Sequence, residues 1–303
     1  MRTLAVIVLS WNGVALTRDT LHSLAACRIP EGWRLHTWVV DNASSDGSPQ
    51  MVRDEFPGVT LLALAENRRF AGGNNVGLER ALADGADAVM LLNNDVVADP
   101  GLLDKLLAAL AEDPAAGAVA PLIYYAPPTD RIWYAGGRCR PWLAHSSHRA
   151  IRERDHGQFR SLEPTGYLTG CCLMATAEAW RKVGLLDERY FIYAEDADWC
   201  LRARAAGYKL LFVPTARLWH RVSASSGGAM NPWKVYQRLR ANLALWSRNT
   251  RGVARLTWLP ALLAQQAAYA LLLLLRGHGA AALAVPRALL DAATGKDPAG
   301  VRP

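Results

Sequence analysis

Short runs of consecutive apolar residues alternate, through most of this chain, with stretches in which apolar residues return every three or four positions. Short apolar runs bounded by turn formers predict buried strands, and the longer period predicts helices with one covered face. Leu4–Leu9 reads as the first strand, and Leu16–Ala26 as the helix behind it, with Thr17 able to cap it. Leu35–Val40 is a second strand, followed by a helix over Ser48–Glu55. Val59–Ala63 is a third, followed by a helix that runs through Ala83, and Val89–Leu92 is a fourth. Such alternation predicts an α/β fold: a mostly parallel sheet covered by helices on both faces.

Further on, Pro100–Ala111 reads as a helix and Ala118–Ile123 as a short strand. Residues 124–164 are rich in Pro, Trp, Tyr and Arg and give no clear periodicity. Gly166–Ala175 reads as a strand punctuated by glycine, and Glu178–Val183 as a short helix. The acids after Tyr190 open a helix that ends at Gly207, and Lys209–Val213 is another strand, followed by Leu218-Trp219-His220. From Trp233 the character changes. Val235–Trp246 is amphipathic and basic, Leu256–Leu275 is apolar but interrupted by Pro260, Gln265 and Gln266, and Ala280–Ala293 is an Ala/Leu helix. The middle segment reaches the length needed to span a bilayer. Its Pro and Gln pair favour a helix lying in the interface. The expected organisation is one domain over 1–232 and a helical extension over 233–303.

Composition sharpens this picture in three ways. With 303 residues, 51% hydrophobic and 20% charged, the chain can bury a full core and is not a disordered protein. The formal charge is +7, but from Lys234 onward ten Lys/Arg face only Asp291 and Asp297, so the tail carries +8 and the rest about −1. A basic tail with this much Ala and Leu suits an anionic membrane surface better than a nucleic acid. Five cysteines, Cys27, Cys139, Cys171, Cys172 and Cys200, have no CxxC spacing and fit free thiols in a reducing cytosol. Leu4–Leu9 is too short for a signal-peptide core and runs into Ser10-Trp11-Asn12 without a small-residue cleavage site, so export is not expected.

The candidate chemistry lies where strands end. Ser10-Trp-Asn12-Gly, Asp41-Asn-Ala-Ser-Ser-Asp-Gly47 and Asn93-Asn94-Asp95 all follow carboxyl ends of strands, where open α/β sheets line their ligand crevice. Any one of these loops is explained by turn and cap preferences. Three on one edge point to a ligand. Asp95, a lone acid delivered by a buried strand, reads as a metal ligand. Gly72 and Gly73 allow close backbone approach, or simply start a helix. The acids Glu195, Asp196 and Asp198 open a helix, where the dipole alone favours them, and Arg202 one turn on pairs most simply with Asp198.

Taken together, Ser10-Trp-Asn12, Asp41 to Asp46, Phe70-Ala-Gly-Gly-Asn-Asn75, Asn93-Asn-Asp95 and Glu195-Asp196-Ala-Asp198 resemble the family 2 inverting glycosyltransferases, in the rhamnosyltransferase and galactofuranosyltransferase-like branch. The resemblance spans residue 3 to about 250. It implies a GT-A fold, with 1–123 as the nucleotide-sugar half and 124–232 as the acceptor half, a nucleotide-diphosphate sugar donor (dTDP- or UDP-linked) and a divalent cation, Mg²⁺ or Mn²⁺. On this resemblance Asp41 accepts from the pyrimidine N–H, with Ser10, Asn12, Asn42, Asn67, Gly73, Asn74 and Asn94 also on the donor side. Asp95 is the last acid of the metal element, and His220 supplies a further ligand. Asn93 and Asn94 stand where acids often occur, which leaves a lean metal site. Asp196 matches the base that takes the acceptor proton, with Gly170, Glu195 and Asp198 on the acceptor side. Arg69 stands where the branch usually has glycine, so either the local backbone differs or a cation faces the diphosphate. Trp133, Trp142 and Trp219 could stack on sugars, though such residues more often fill cores or membrane interfaces.

The expected enzyme moves a sugar, rhamnose among the candidates, to a glycan or lipid-linked acceptor at the inner face of the cell membrane. A sugar nucleotidyltransferase would want a Gly-rich basic loop after the first strand, and Ser-Trp-Asn-Gly is not one. No GxGxxG follows that strand, which disfavours a dehydrogenase. A non-catalytic membrane-bound nucleotide-sugar-binding protein is disfavoured by retention of all the acids.

Overall fold

In the computed structural model, which describes residues 1–126, 129–222 and 230–298, the apolar runs become the inner strands of one ten-stranded sheet. The first half alternates β1 (Arg2–Ser10), α1 (Val14–Ala25), β2 (Trp33–Asp41), α2 (Ser48–Glu55), β3 (Thr60–Ala63), α3 (Arg69–Ala83) and β4 (Ala88–Asn93). Then follow β5 (Val96–Ala98), α4 (Leu102–Glu112), β6 (Ala116–Tyr125), β7 (Ile132–Tyr134), β8 (Gly137–Arg140), a 3-10 turn (Pro141–Leu143), β9 (His145–His148) and β10 (Glu163–Pro164). The second half continues with β11 (Cys172–Thr176), α5 (Ala177–Val183), α6 (Glu195–Ala205) and β12 (Lys209–His220), and ends with α7 (Pro232–Asn249), α8 (Ala254–Leu275) and α9 (Gly279–Ala293). The last five residues of the expected extension lie outside the described residues.

The strand order is β10-β12-β6-β11-β4-β1-β2-β3, with β5 on β12 and β7 on β6. The long ladders are parallel, as expected: β4, β1, β2 and β3 run together, and β12 runs with β6. β11 enters between β4 and β6 antiparallel to both. Because β1 lies inside the sheet with β2 on one side and β4 on the other, the connections leave its carboxyl end in opposite directions, and a crevice opens there. Helices cover both faces, so the inner strands are buried throughout and read as unbroken apolar runs. Gly77 lets α3 lie directly on this sheet: a Cβ there would come within 2.7 Å of Ile7 Cγ2 and 3.0 Å of Val40 Cγ2.

Several expected elements differ. Thr17 does not cap α1; it lies inside the helix, and Asp46 caps from the next loop, accepting from the Gly13 and Val14 N–H groups. Only Cys172–Thr176 of the glycine-punctuated segment is strand, because Gly166 fits against backbone, with a Cβ coming 2.8 Å from both Cys139 N and Gly137 O. Lys209–Val213 and Leu218–His220 are one strand, joined by a register shift between Val213 and Arg217.

The extension packs onto the sheet domain. Asn249 at the end of α7 donates to Asp198 on α6 at 2.8 Å, and Tyr236 donates to Asp291 of α9 at 3.0 Å. Gln265 of α8 donates to the Leu143 carbonyl at 2.6 Å. Within α8's 22 residues an 18-residue stretch has a mean hydropathy of 1.6 and is only 11% buried, so by length and composition this helix could cross a membrane.

Candidate active site

At the carboxyl ends of β1, β2 and β4 the polar loops are tied into one frame. Ser10, fully buried, shares a hydrogen bond with Thr17 at 2.9 Å, and Asn94 donates to Thr17 at 3.0 Å. Asn12 joins the first two loops: its N–H donates to Ser44 Oγ at 2.8 Å and its side-chain oxygen accepts from Ser45 N at 2.9 Å. Asp41 accepts from Ser44 N through Oδ2 at 2.9 Å. Its Oδ1 is buried with no hydrogen-bond partner. A buried acceptor without a donor is costly, and a ligand N–H would satisfy it.

The other expected donor-side residues serve the frame itself. Asn42 donates to Asn67 Oδ1 and to the Arg69 carbonyl and accepts from Arg68 N, which folds the 67–69 turn onto β2. Asn67 also accepts from Arg69 N. Asn74 bonds the Phe70 carbonyl one turn back. Gly73 faces the sheet, where a Cβ would come 2.5 Å from Leu9 Cδ1. Its lack of a side chain therefore serves helix packing. Arg69 has φ +63°, in the left-handed region that favours glycine, and its guanidinium lies 4.2 Å over the Phe191 ring. The backbone expected for glycine is thus kept at a cost of about 1–2 kcal/mol.

Across the crevice, β12 brings His220 to Asp95. His220 Nε2 and Asp95 Oδ1 are 3.1 Å apart, yet Asp95 Oδ1 makes no hydrogen bond, and neither does His220 Nδ1, although both are buried. Two donors each about 2.1 Å from one cation, at about a right angle, are themselves about 3 Å apart. The pair therefore fits a small divalent ion. Among the described residues no group of three His, Cys, Asp or Glu could hold a metal, so the remaining ligands would come from a bound substrate or water.

A cleft of about 650 Å³ adjoins this pair. Asn93, His220, Gly170, Glu195 and Asp196 line it, together with Trp133 and His148. Asp196 is held by two backbone donors, Gly170 N at 2.8 Å and Ala197 N at 2.7 Å. Gly170 is needed for this approach, since a Cβ would meet Phe70 Cζ at 2.9 Å. Tyr193 and Ala194, both at φ 70°, turn the chain so that Glu195 and Asp196 enter the cleft at the start of α6. Asp198 does not border the cleft. It accepts from Tyr190, Asn249 and Arg202, the last at 2.8 Å, and so ties α6 to the preceding loop and to α7. The sequence offered no signal for His148 or Arg238, which also border the cleft. The Trp133 ring packs edge-on between His148 and His220, each 4.6 Å away. Trp219 stacks on Tyr124, and Trp142 is exposed beside α8. All five cysteines are free, and burial pushes the Cys171 thiol up, away from nucleophilic character.

The two cleft acids differ. Burial, and then the neighbouring Asp196, push Glu195 up to about 8, while its Oε2 stays unpartnered. Burial also raises Asp196. An acid whose folded value lies above its ordinary 4.5 stabilises the fold fully below 4.5, and that stabilisation is lost as pH rises through about 8. Urea midpoints should therefore fall between pH 5 and 9, and Glu195→Gln should flatten that fall. Identical slopes in both proteins would contradict the assignment.

The strand ends thus carry a buried Asp41 oxygen without a donor and a closely spaced Asp95–His220 pair, and a cleft beside them holds two acids. The family model "Glycosyl transferase family 2" matches residues 5–184. An N-acetylglucosaminyl-diphospho-decaprenol L-rhamnosyltransferase of Mycobacterium tuberculosis is 32% identical over 209 residues, covering 62% of this chain and 67% of that protein. A dTDP-rhamnosyl transferase of Shigella flexneri is 24% identical over 221 residues, 70% of each chain. Among solved structures, GalNAc-T7 with UDP, GalNAc and Mn²⁺ superposes with a TM-score of 0.62 at 18% identity, over 79% of this chain and 47% of its own. This chain thus spans about half the length of that structure. The chain belongs to glycosyl transferase family 2; it is a glycosyltransferase with a GT-A-like fold.

Proposed function

We propose that this glycosyltransferase moves rhamnose from a dTDP- or UDP-linked donor to a lipid-linked glycan acceptor, with inversion, at the cytoplasmic face of the membrane. The observation that carries the reading is the single cleft bordered by the strand end Asn93, by His220 and by the acids Glu195 and Asp196. It sets His220 beside the two acids at the end of β4. The names of the two relatives, both rhamnosyltransferases, support the sugar, and the Mycobacterium relative supports a diphospholipid acceptor.

In this reading Asp41 Oδ1 accepts the pyrimidine N–H, and the Ser10–Thr17–Asn94 group positions the donor near the strand ends. Asp95 and His220 would hold a Mg²⁺ or Mn²⁺ ion, which would stabilise charge on the leaving diphosphate. Asp196 takes the proton from the acceptor hydroxyl as that oxygen attacks the anomeric carbon. Its two backbone donors fix the carboxylate and leave lone pairs for the incoming proton. Glu195, whose carboxyl burial pushes up toward the neutral form, donates a hydrogen bond to the acceptor sugar. The decisive experiment measures nucleoside diphosphate release across a donor panel, with and without Mn²⁺ or Mg²⁺. Cation-dependent turnover of dTDP-rhamnose is expected. Pyrophosphate release from a nucleoside triphosphate and a sugar phosphate would instead make the chain a nucleotidyltransferase.

The exposed side chains of Leu256, Leu271, Leu274 and Leu275 on α8, flanked by Arg255 and Arg276, suit attachment to an anionic bilayer. Replacing Leu271, Leu274 and Leu275 with Ser should release the full-length protein from phosphatidylglycerol vesicles in a flotation assay. Because none of the three is buried, folding should be unaffected, and unchanged flotation would refute the attachment.

A further inference from the structure

On a neighbouring face of α7, next to the one that borders the catalytic cleft, lies a second cavity of about 210 Å³. It is far larger than the ~10–15 Å³ that a single water needs. Arg189, Arg240, Arg248 and Lys296 line it, and no lining residue is a carboxylate. Nearby acids offset part of this charge. Asp187 pairs with Arg189 at 2.6 Å and lies 3.8 Å from Arg248, and Asp291 lies 3.8 Å from Lys296. Arg240 is different. One of its nitrogens donates to the Lys296 carbonyl at 2.7 Å, while Nη1 is buried without a hydrogen-bond partner. A buried guanidinium nitrogen lacking an acceptor is unfavourable, and an anionic oxygen is its best partner. The cavity wall is fixed in part by Gln237, which donates to the Pro298 carbonyl at 3.0 Å and ties the chain after α9 to α7.

Position gives this cavity its meaning. Ile192 and Ala241 line both it and the cleft that holds Glu195 and Asp196, so the two share a wall. The shared wall makes this cavity the neighbour of the cleft that would seat an acceptor sugar. We propose that this cavity binds the diphosphate that joins the acceptor sugar to its lipid, with Arg240 as the main anchor and Arg248 and Lys296 beside it. The inference rests on the glycosyl-transfer reading above and adds to it the chemistry by which the acceptor is recognised. Guanidinium forks match phosphate oxygens geometrically, so Arg240 selects a phosphate-linked acceptor over a neutral glycan. It also gives the basic helix α7 a role in the site itself.

The test uses full-length protein and farnesyl diphosphate as the probe, titrated calorimetrically with dTDP at saturation so that the donor side is filled. Farnesyl diphosphate should bind the unaltered protein, and Arg240→Gln should weaken it about tenfold or more. Lys296→Gln, whose exposed ammonium already lies near Asp291, should weaken it less. Arg240→Lys should restore part of the affinity through charge alone. Equal binding of farnesyl diphosphate to the unaltered protein and to Arg240→Gln would overturn the proposal. So would a loss confined to phosphatidylglycerol vesicle binding, which would assign the cavity to a bilayer headgroup. Absence of nucleoside diphosphate release from every donor would instead sink the transferase reading, and the farnesyl diphosphate titration would remain readable without it.

Discussion

Asp196→Asn should bind donor as well as the unaltered enzyme does and lose transfer to acceptor by about 10²- to 10⁴-fold in kcat, the range that a positioned general base supplies. Two N–H groups, Gly170 N and Ala197 N, hold one oxygen of the carboxylate each. Asparagine keeps the shape and one acceptor but turns an amide donor toward the other N–H, so a modest local loss of stability is expected as well. The kinetic signature separates the two effects. A structural defect would also slow acceptor-independent release of nucleoside diphosphate, whereas loss of the base would leave that background intact. Burial raises the Asp196 carboxyl, which brings the base closer to the working pH and improves it. Transfer by Asp196→Asn at the unaltered rate would remove Asp196 from the chemistry and leave Glu195, whose Oε2 is unpartnered, as the acid to test next.

How far the sequence could be read depended on whether the signal for each element was local. α2, Ser48–Glu55, matches its expected limits, and β1, β2 and β4 extend theirs by one or two residues at each end; β1 and β4, buried on both faces, write themselves as apolar runs, whereas β2 is buried only in its second half. β5 escaped notice because Val96-Val97-Ala98 looks like a continuation of the run that ends at Asn93; only its pairing with β12 across the sheet reveals a separate strand. The hairpin of β8 and β9, Gly-Arg-Cys-Arg with His-Ser-Ser-His, offers only Gly137 and Cys139 as a covered face and no apolar residue on β9; its two strands pair antiparallel. In the site, residue type was legible and partner was not. Asp41, Asn42 and Asn67 all stand in polar loops at strand ends. Asp41 alone keeps a buried oxygen without a partner, while the two amides close the 67–69 turn. Asp198 and Asp196 are two residues apart on one helix, and that spacing points them in different directions: one into the cleft, the other toward Arg202 and Asn249.

Removing the cation, or Asp95, should be the most damaging change on the donor side. With two protein donors 3.1 Å apart and no third acid in reach among the described residues, the site is short of ligands and of charge. If Asp95 and His220 hold the ion, phosphate oxygens of the donor would supply further ligands, so ion and donor should bind cooperatively. Mn²⁺ should bind weakly to the free protein and markedly tighter when a dTDP- or UDP-sugar is present, which a titration followed by Mn²⁺ paramagnetic resonance can read directly. Chelation should stop turnover and re-addition should restore it. Asp95→Ala should lower donor turnover by about 10³-fold, the scale of losing one fixed electrostatic stabiliser of the leaving group. The fold should survive, because the backbone bond from Arg221 N to the Asp95 carbonyl does not depend on the side chain. His220→Ala should cost less, since a neutral imidazole contributes a lone pair but no charge. If Mn²⁺ bound the free protein tightly, or if Asp95→Ala kept full cation-dependent turnover, the ion would have to sit elsewhere, and the unpartnered Asp95 Oδ1 would need another explanation.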